Sequence, residues 1–140
     1  TLSSSSAASD VYKRQEHKEE QDTYEQFLVK KDVQFIEKIH QVIEENLDNS
    51  DFNIDTIAST IGLSRSAFFK KLKSLTGFAP VDLVKEIRLN KSIELIKNSD
   101  MSISEIAFAV GFKDSGYFSK CFRKKYDQTP REYMNEWRKG

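Results

Sequence analysis

Beyond residue 32 the apolar residues recur at three- and four-residue steps, and no segment alternates apolar and polar positions as a strand does. Val33, Ile36, Ile39, Val42, Ile43 and Leu47 predict an amphipathic helix over about 32–47, broken by Asp48-Asn49-Ser50-Asp51. Asn53 is placed to cap a short helix carrying Ile54, Ile57, Ala58 and Ile61, which Gly62 ends. Ser64 caps the next, running to about Thr76 and stopping at Gly77. Pro80 opens a long helix over about 80–98, where a first-turn proline is at home. Ser102 and Glu105 form a capping box for a helix through Val110, closed by Gly111. Asp114 or Ser115 begins a helix to about Tyr126. Thr129, Pro130 and Glu132 repeat the capping logic for a last helix ending near Arg138. The expected fold is all-α with about seven helices.

The segments before residue 32 read differently. Residues 1–15 (TLSSSSAASDVYKRQ) are rich in Ser and Ala, non-periodic and poor in large apolar side chains. Such a segment buries too little surface to order itself and reads as a disordered or non-native tail, dispensable to the fold. Residues 16–31 are charged and read as a linker or a frayed helix start.

An internal repeat organises the remainder. IDTIASTIGLSRSAFFKKLKSLTGFAP (54–80) aligns with ISEIAFAVGFKDSGYFSKCFRKKYDQTP (103–130). Ile57-Ala58 matches Ile106-Ala107 and Gly62 matches Gly111. After one extra residue in the turn, Phe68 matches Phe118, Lys70 matches Lys120, Leu72 matches Phe122 and Pro80 matches Pro130. Each copy reads short helix, glycine turn, basic helix. That is a helix-turn-helix plan, in which Ala58 or Ala107 lets the two helices pack closely. The domain then divides into a first subdomain (32–79), a linker helix (80–98) and a second subdomain (99–140).

The second helix of each copy is two-faced. Phe68, Leu72 and Leu75 point to the core of the first, and Phe118, Cys121 and Phe122 to that of the second. Basic and small polar residues fill the opposite faces. A helix that enters the DNA major groove needs Lys or Arg for phosphates and guanine acceptors, and small polar groups near its N-terminus. Net charge is zero, yet its distribution is split. Residues 1–55 carry 13 acidic against 6 basic side chains, and residues 56–140 carry 9 against 16.

These residues closely resemble the DNA-binding domain of the AraC/XylS family of bacterial transcription factors over about 33–138. The resemblance is carried above all by IRLNKSIELI (87–96) and ISEIAFAVGFKDSGYFSKCFRKKYDQTPREY (103–133). It implies a homeodomain-like, seven-helix fold whose two helix-turn-helix subdomains are bridged by the helix around Arg88. The second helices would enter successive major grooves of double-stranded DNA. By the resemblance, Ser66, Phe69 and Lys70, with Ser115, Gly116, Ser119 and Lys120, face the bases. Arg65, Lys73, Lys113, Arg123 and Lys124 face phosphates. The leading FLVKKDVQFIEKIHQVIEENLDNSDFNIDTIA looks like the entry to the C-terminal output module of hybrid two-component regulators. RNA polymerase is implied as a further partner. Lys71, Ser92 and Asp127 depart from the family's usual apolar residue, Ala and Gly respectively.

Other chemistries find little support. Cys121 is the only cysteine, so no intrachain disulfide and no cysteine-based zinc site can form, and it reads as a packed thiol. His17 and His40 have no partners at metal-ligand spacing, and no Gly-x-Ser-x-Gly elbow or glycine-rich phosphate loop occurs. The expectation is a non-enzyme without cofactor or metal. No apolar run reaches the ~20 residues that span a bilayer, and no secretory signal is visible, so the expected setting is cytoplasmic and free of membrane contact. Without an extended heptad pattern the chain is expected to be monomeric, with the full-length protein dimerised by regions outside it. Arg88 suits either a phosphate contact or an acidic partner on its own helix, and Trp137 an anchoring role for the last helix. A helical protein-interaction module is the alternative from another class. Binding to random duplex DNA at low salt separates the two.

Overall fold

The computed structural model describes residues 2–138, with side chains from Thr23 onward. Among the described residues seven helices follow one another: α1 (Leu2–Glu45), α2 (Ile54–Ile61), α3 (Arg65–Thr76), α4 (Pro80–Asn98), α5 (Ile103–Ala109), α6 (Ser115–Tyr126) and α7 (Pro130–Arg138). The chain divides into two compact units, Thr1–Glu37 and Lys38–Gly140. The second holds both helix-turn-helix copies and the site.

The largest difference from the sequence reading is at the N-terminus. Helix α1 begins at Leu2, through residues expected to be a tail (1–15) and a linker or frayed helix start (16–31), rather than near residue 32. Glu, Gln and Lys dominate 16–31, and these side chains lose little freedom in a helix even where no apolar stripe demands one. A reading built on apolar periodicity alone passes over them. Val33, assigned to the buried stripe, is 46% exposed. His17 and the other side chains before Thr23 lie outside the described residues.

From Lys38 onward, local signals and structure coincide. Asn53 accepts from the Thr56 backbone N–H, Ser64 from Ala67, and Ser102 from Glu105. Asp114, not Ser115, caps α6, accepting from Gly116 and Tyr117. Thr129 Oγ1 accepts from Glu132 N–H at 3.1 Å. The chain's only two prolines, Pro80 and Pro130, open α4 and α7. The two interhelix turns share one hydrogen-bond pattern. Leu63 N–H reaches back to Ala58 O at 3.0 Å, and Phe112 N–H to Ala107 O at 2.9 Å. Each such six-residue closure places its glycine in the left-handed region, Gly62 at φ 83° and Gly111 at φ 93°. Asp127, standing where the family prefers glycine, adopts φ 58°.

The first subdomain buries Ile39, Val42, Ile43 and Leu47, and Ile57, Ala58, Phe68 and Leu72. The second is built on Ile106, Ala107, Val110, Phe112, Phe118 and Phe122. Its aromatic rings form a chain, with Phe112–Phe118 centroids 5.2 Å apart, Phe118–Phe122 5.8 Å, and Phe122–Tyr133 5.8 Å. The last of these pairs docks α7. Trp137, expected to anchor that helix, is half-exposed instead, its ring lying under Lys97 of α4. Lys71 is exposed, Leu75 and Cys121 half-buried, and Ser92 buried with its hydroxyl on Leu89 O at 2.6 Å.

Arg88 meets neither expectation held for it. It is 8% exposed, and it donates from Nη1 to Gly111 O and from Nη2 to Asn49 O at 3.2 Å. Both acceptors are backbone carbonyls, one after α1 and one in the turn between α5 and α6. Arg138 does the same for the next helix, donating from Nη2 to Ser99 O at 2.7 Å, from Nη1 to Met101 O at 3.0 Å and from Nε to Ile96 O at 3.1 Å. Arg88 and Arg138 occupy matching places in Glu86-Ile-Arg88 and Glu136-Trp-Arg138, at the spacing that also relates Asn49 to Ser99 and Pro80 to Pro130. The repeat is therefore larger than the helix-turn-helix. Each copy is flanked by a helix before and a helix after, clamped through an arginine, and α4 serves both.

The two turn glycines differ in what surrounds them. A Cβ on Gly62 meets nothing within 4 Å, whereas one on Gly111 collides with Leu47 O and the Arg88 guanidinium. Gly62→Ala should cost about 1 kcal/mol, the left-handed penalty alone. Gly111→Ala should cost at least ~3 kcal/mol, because clash and lost clamp add to that penalty. Urea unfolding of the two variants measures both; equal losses would mean that the Arg88 contact carries no weight.

Candidate nucleic-acid interface

The exposed faces of α3 and α6 derive from the same constraint that builds the core. Phe68 and Leu72 on α3, and Phe118 and Phe122 on α6, are fully buried, which turns the rest of each helix outward. On α3 this exposes Arg65, Ser66, Phe69, Lys70 and Lys73. On α6 and the turn before it, Lys113, Gly116, Lys120, Arg123 and Lys124 are exposed, with Ser115 and Ser119 half-buried at the edge. The assigned residues on α3 and α6 thus lie on the outer side or edge of their helix, with Lys113 exposed in the turn before α6. Phe69 is 47% exposed, an apolar ring that a folded core did not take up.

The electrostatics of the two helices differ in detail. Arg65 lies 3.5 Å from Asp55 and Lys113 lies 3.0 Å from Asp51, both pairs exposed. Such pairs contribute little and exchange readily for a stronger anion. Lys70, Lys73, Lys120, Arg123 and Lys124 have no carboxylate within ion-pair distance among the described residues. Lys125 turns the other way, onto Glu86 and onto Asn90 Oδ1 at 2.6 Å, with the Tyr126 hydroxyl donating to the same oxygen at 3.0 Å. It belongs to the packing of α6 on α4 and not to the outer face. Burial, with Glu86 and Tyr133 adding, pushes the Tyr126 phenol up to about 12.

The sequence reading gave Tyr117 no role. It sits between Gly116 and Phe118, is half-exposed, and has Lys85 of α4 5.6 Å from its ring centre. A hydrogen bond to Tyr117 holds the Lys85 ammonium above its usual range, against the opposing effect of burial. Its partner in the first copy is Ala67, so alignment of the copies gave no signal for an aromatic here.

Among the described residues no group of three or more His, Cys, Asp or Glu is placed to hold a metal ion. No helix among them is long and apolar enough to cross a membrane.

Two in-register helix-turn-helix units with solvent-facing basic second helices define a tandem DNA-binding architecture. A helix-turn-helix domain family matches residues 57–136, and the chain belongs to the AraC/XylS-type helix-turn-helix family. It is 38% identical over 106 residues to histidine kinase P4 of Formosa agariphila, a match covering 76% of this chain and 8% of that protein. The C-terminal domain of the two-component response regulator yesN from Fusobacterium nucleatum shares 31% identity at a TM-score of 0.64, covering 70% of this chain and 95% of that one. The DNA-binding domain of AdpA, solved in complex with a target DNA, shares 28% identity at a TM-score of 0.69, covering 75% and 93%. The family is one of DNA-binding regulators and not of enzymes.

Asp114 carries the start of α6 and is itself exposed, accepting from Gly116 N–H at 2.6 Å and Tyr117 N–H at 3.3 Å. Asp114→Ala should lower stability by about 1 kcal/mol, and Asp114→Ser should recover most of it. Thermal unfolding of the two variants tests this; equal melting temperatures for both would remove the cap from the account.

Proposed function

We propose that this chain is the DNA-binding output module of a signal-responsive transcription regulator, with α3 and α6 entering successive major grooves on one face of the duplex. The observation that carries the reading is the matched pair of exposed basic helices, fixed to one linker helix by the same caps, turns and arginine clamps. The likeness to a domain solved on its target DNA supports it. The kinase and the response regulator among the relatives support a place downstream of a sensor. Since the chain spans 8% of that kinase's length, sensing and phosphotransfer belong to regions outside it.

In this reading Ser66, Phe69, Lys70, Ser115, Ser119 and Lys120 meet base edges. Gly116, which has no side chain, lets the α6 backbone approach closely. Arg65, Lys73, Lys113, Arg123 and Lys124 take phosphates. RNA polymerase is the natural second partner. The chain alone binds as a monomer, and dimerisation belongs to the longer protein. Its place in the cell is the cytoplasm, where the chromosome is.

The test is selection of bound sites from a random duplex library, followed by footprinting and by affinities on the selected and a scrambled site at several salt concentrations. Two protected segments about one helical turn apart are expected. Lys70→Ala and Lys120→Ala should lose roughly 1–3 kcal/mol on the selected site and little on the scrambled one. Lys73→Ala and Lys124→Ala should weaken both sites alike and lower the salt dependence by about one ion. No binding to any duplex at low salt would overturn the reading in favour of a protein-interaction module. Equal losses for all four variants on both sites would overturn the division between reading and anchoring residues.

A further inference from the structure

A cleft of about 500 Å³ opens between the two helix-turn-helix copies, along the N-terminal half of α4. It belongs to neither outer face assigned to DNA bases. Its size falls within the range of ~300–1,000 Å³ typical of small-molecule sites. Phe52 and Ile54 wall it from the first copy, Val81 and Val84 from α4, and Phe112 and Tyr117 from the second. Ser50 and Asn53 add neutral polar groups, and the charged groups on the wall are mostly cationic. Lys85 and Lys113 stand on it, and Arg88 closes its end. Arg88 is more than nine-tenths buried, and among the described residues its Nε–H has no hydrogen-bond partner. The one carboxylate on the wall, Asp114, is engaged in capping α6, and Lys113 is held only by the exposed Asp51.

We propose that this cleft binds a small organic anion, a carboxylate on a flat apolar body of about two fused rings. The ring system would lie between Val81, Val84 and Phe112, and the carboxylate would face Lys85 and Lys113. An apolar wall argues against inorganic phosphate, which leaves that surface uncovered. The cationic side argues against a neutral hydrocarbon. The cleft also runs along the Arg88–Gly111 contact, so the ligand would lie beside the tie between the two copies.

The test is a ¹H–¹⁵N NMR titration of the whole chain without DNA, with 2-naphthoate, its uncharged analogue 2-naphthalenemethanol, and inorganic phosphate as probes. Binding is read on the protein alone, so the outcome stands apart from that of the DNA experiments. Saturable shifts with 2-naphthoate, centred on Val84, Lys85, Phe112 and the Arg88 Nε–H, are expected. The neutral analogue and phosphate should bind at least about tenfold more weakly. Lys85→Gln should weaken 2-naphthoate about tenfold. Val81→Trp, at the exposed rim, should block it while leaving the rest of the spectrum unchanged. Absence of saturable shifts with 2-naphthoate would overturn the proposal. So would equal binding of the neutral analogue, tighter binding of phosphate, or undiminished binding by Val81→Trp.

Discussion

Arg88 brings a positive charge into the middle of this domain, and among the described residues no carboxylate lies within ion-pair distance of it. Desolvation alone pulls its pKa down, the expected sign for a cation taken out of water. What holds it there is backbone. Gly111 O lies one residue past the C-cap of α5, where unsatisfied carbonyls concentrate the negative end of a helix, and Asn49 O lies in the turn after α1. Removing the guanidinium strands both carbonyls, at about 1–3 kcal/mol for each buried acceptor. The contact also joins elements of different copies, because Asn49 leads into the first helix-turn-helix and Gly111 is the turn of the second. Local caps and cores can build each copy alone, whereas the Arg88 tie bears on their mutual placement.

The two copies use that plan unequally. Arg138 repeats the clamp on the carbonyls at and after the end of α4, yet it stays exposed. Gly62 and Gly111 adopt the same left-handed turn for the same Schellman-type closure. Only Gly111 is also pressed against an arginine. Helix α4 is thus the last helix of one three-helix unit and the first of the next. Its buried face must serve both, and Leu83, Ile87, Leu89, Ser92 and Ile96 are all buried along it. A helix buried so widely shows little amphipathic contrast, unlike the short helices on either side.

Most of the fold could be read from sequence, because each helix end carries its own chemistry. Asn53, Ser64, Ser102 and Thr129 cap where their spacing to the next apolar residue says they should, and Gly62, Gly77 and Gly111 close where periodicity stops. The outer faces of α3 and α6 followed from the buried phenylalanines. What stayed hidden were interactions between elements far apart in sequence. Arg88 offered two plausible local partners, and nothing near it pointed to a carbonyl 23 residues on. The repeated Glu-x-Arg at 86–88 and 136–138 held the clue. It lies outside 54–80 and 103–130, the stretches over which the two helix-turn-helix copies align. Trp137 misled for the opposite reason. A large aromatic near a helix end suggests an anchor, but Tyr133 and Arg138 take that part. In α1, helix-forming side chains extended the helix where no apolar stripe marked it.

The Arg88 tie sets the spacing of the two helix-turn-helix copies. Pulsed electron–electron spin resonance between labels on Ser59→Cys of α2 and Ser104→Cys of α5 measures it directly, in a Cys121→Ser background. Both label sites are exposed and lie apart from the outer faces of α3 and α6. With Arg88 in place, one narrow distance distribution is expected. In Arg88→Met, with helix content retained by circular dichroism, the distribution should broaden or shift. A broad distribution in the parent chain, or an unchanged narrow one in Arg88→Met, would contradict the account.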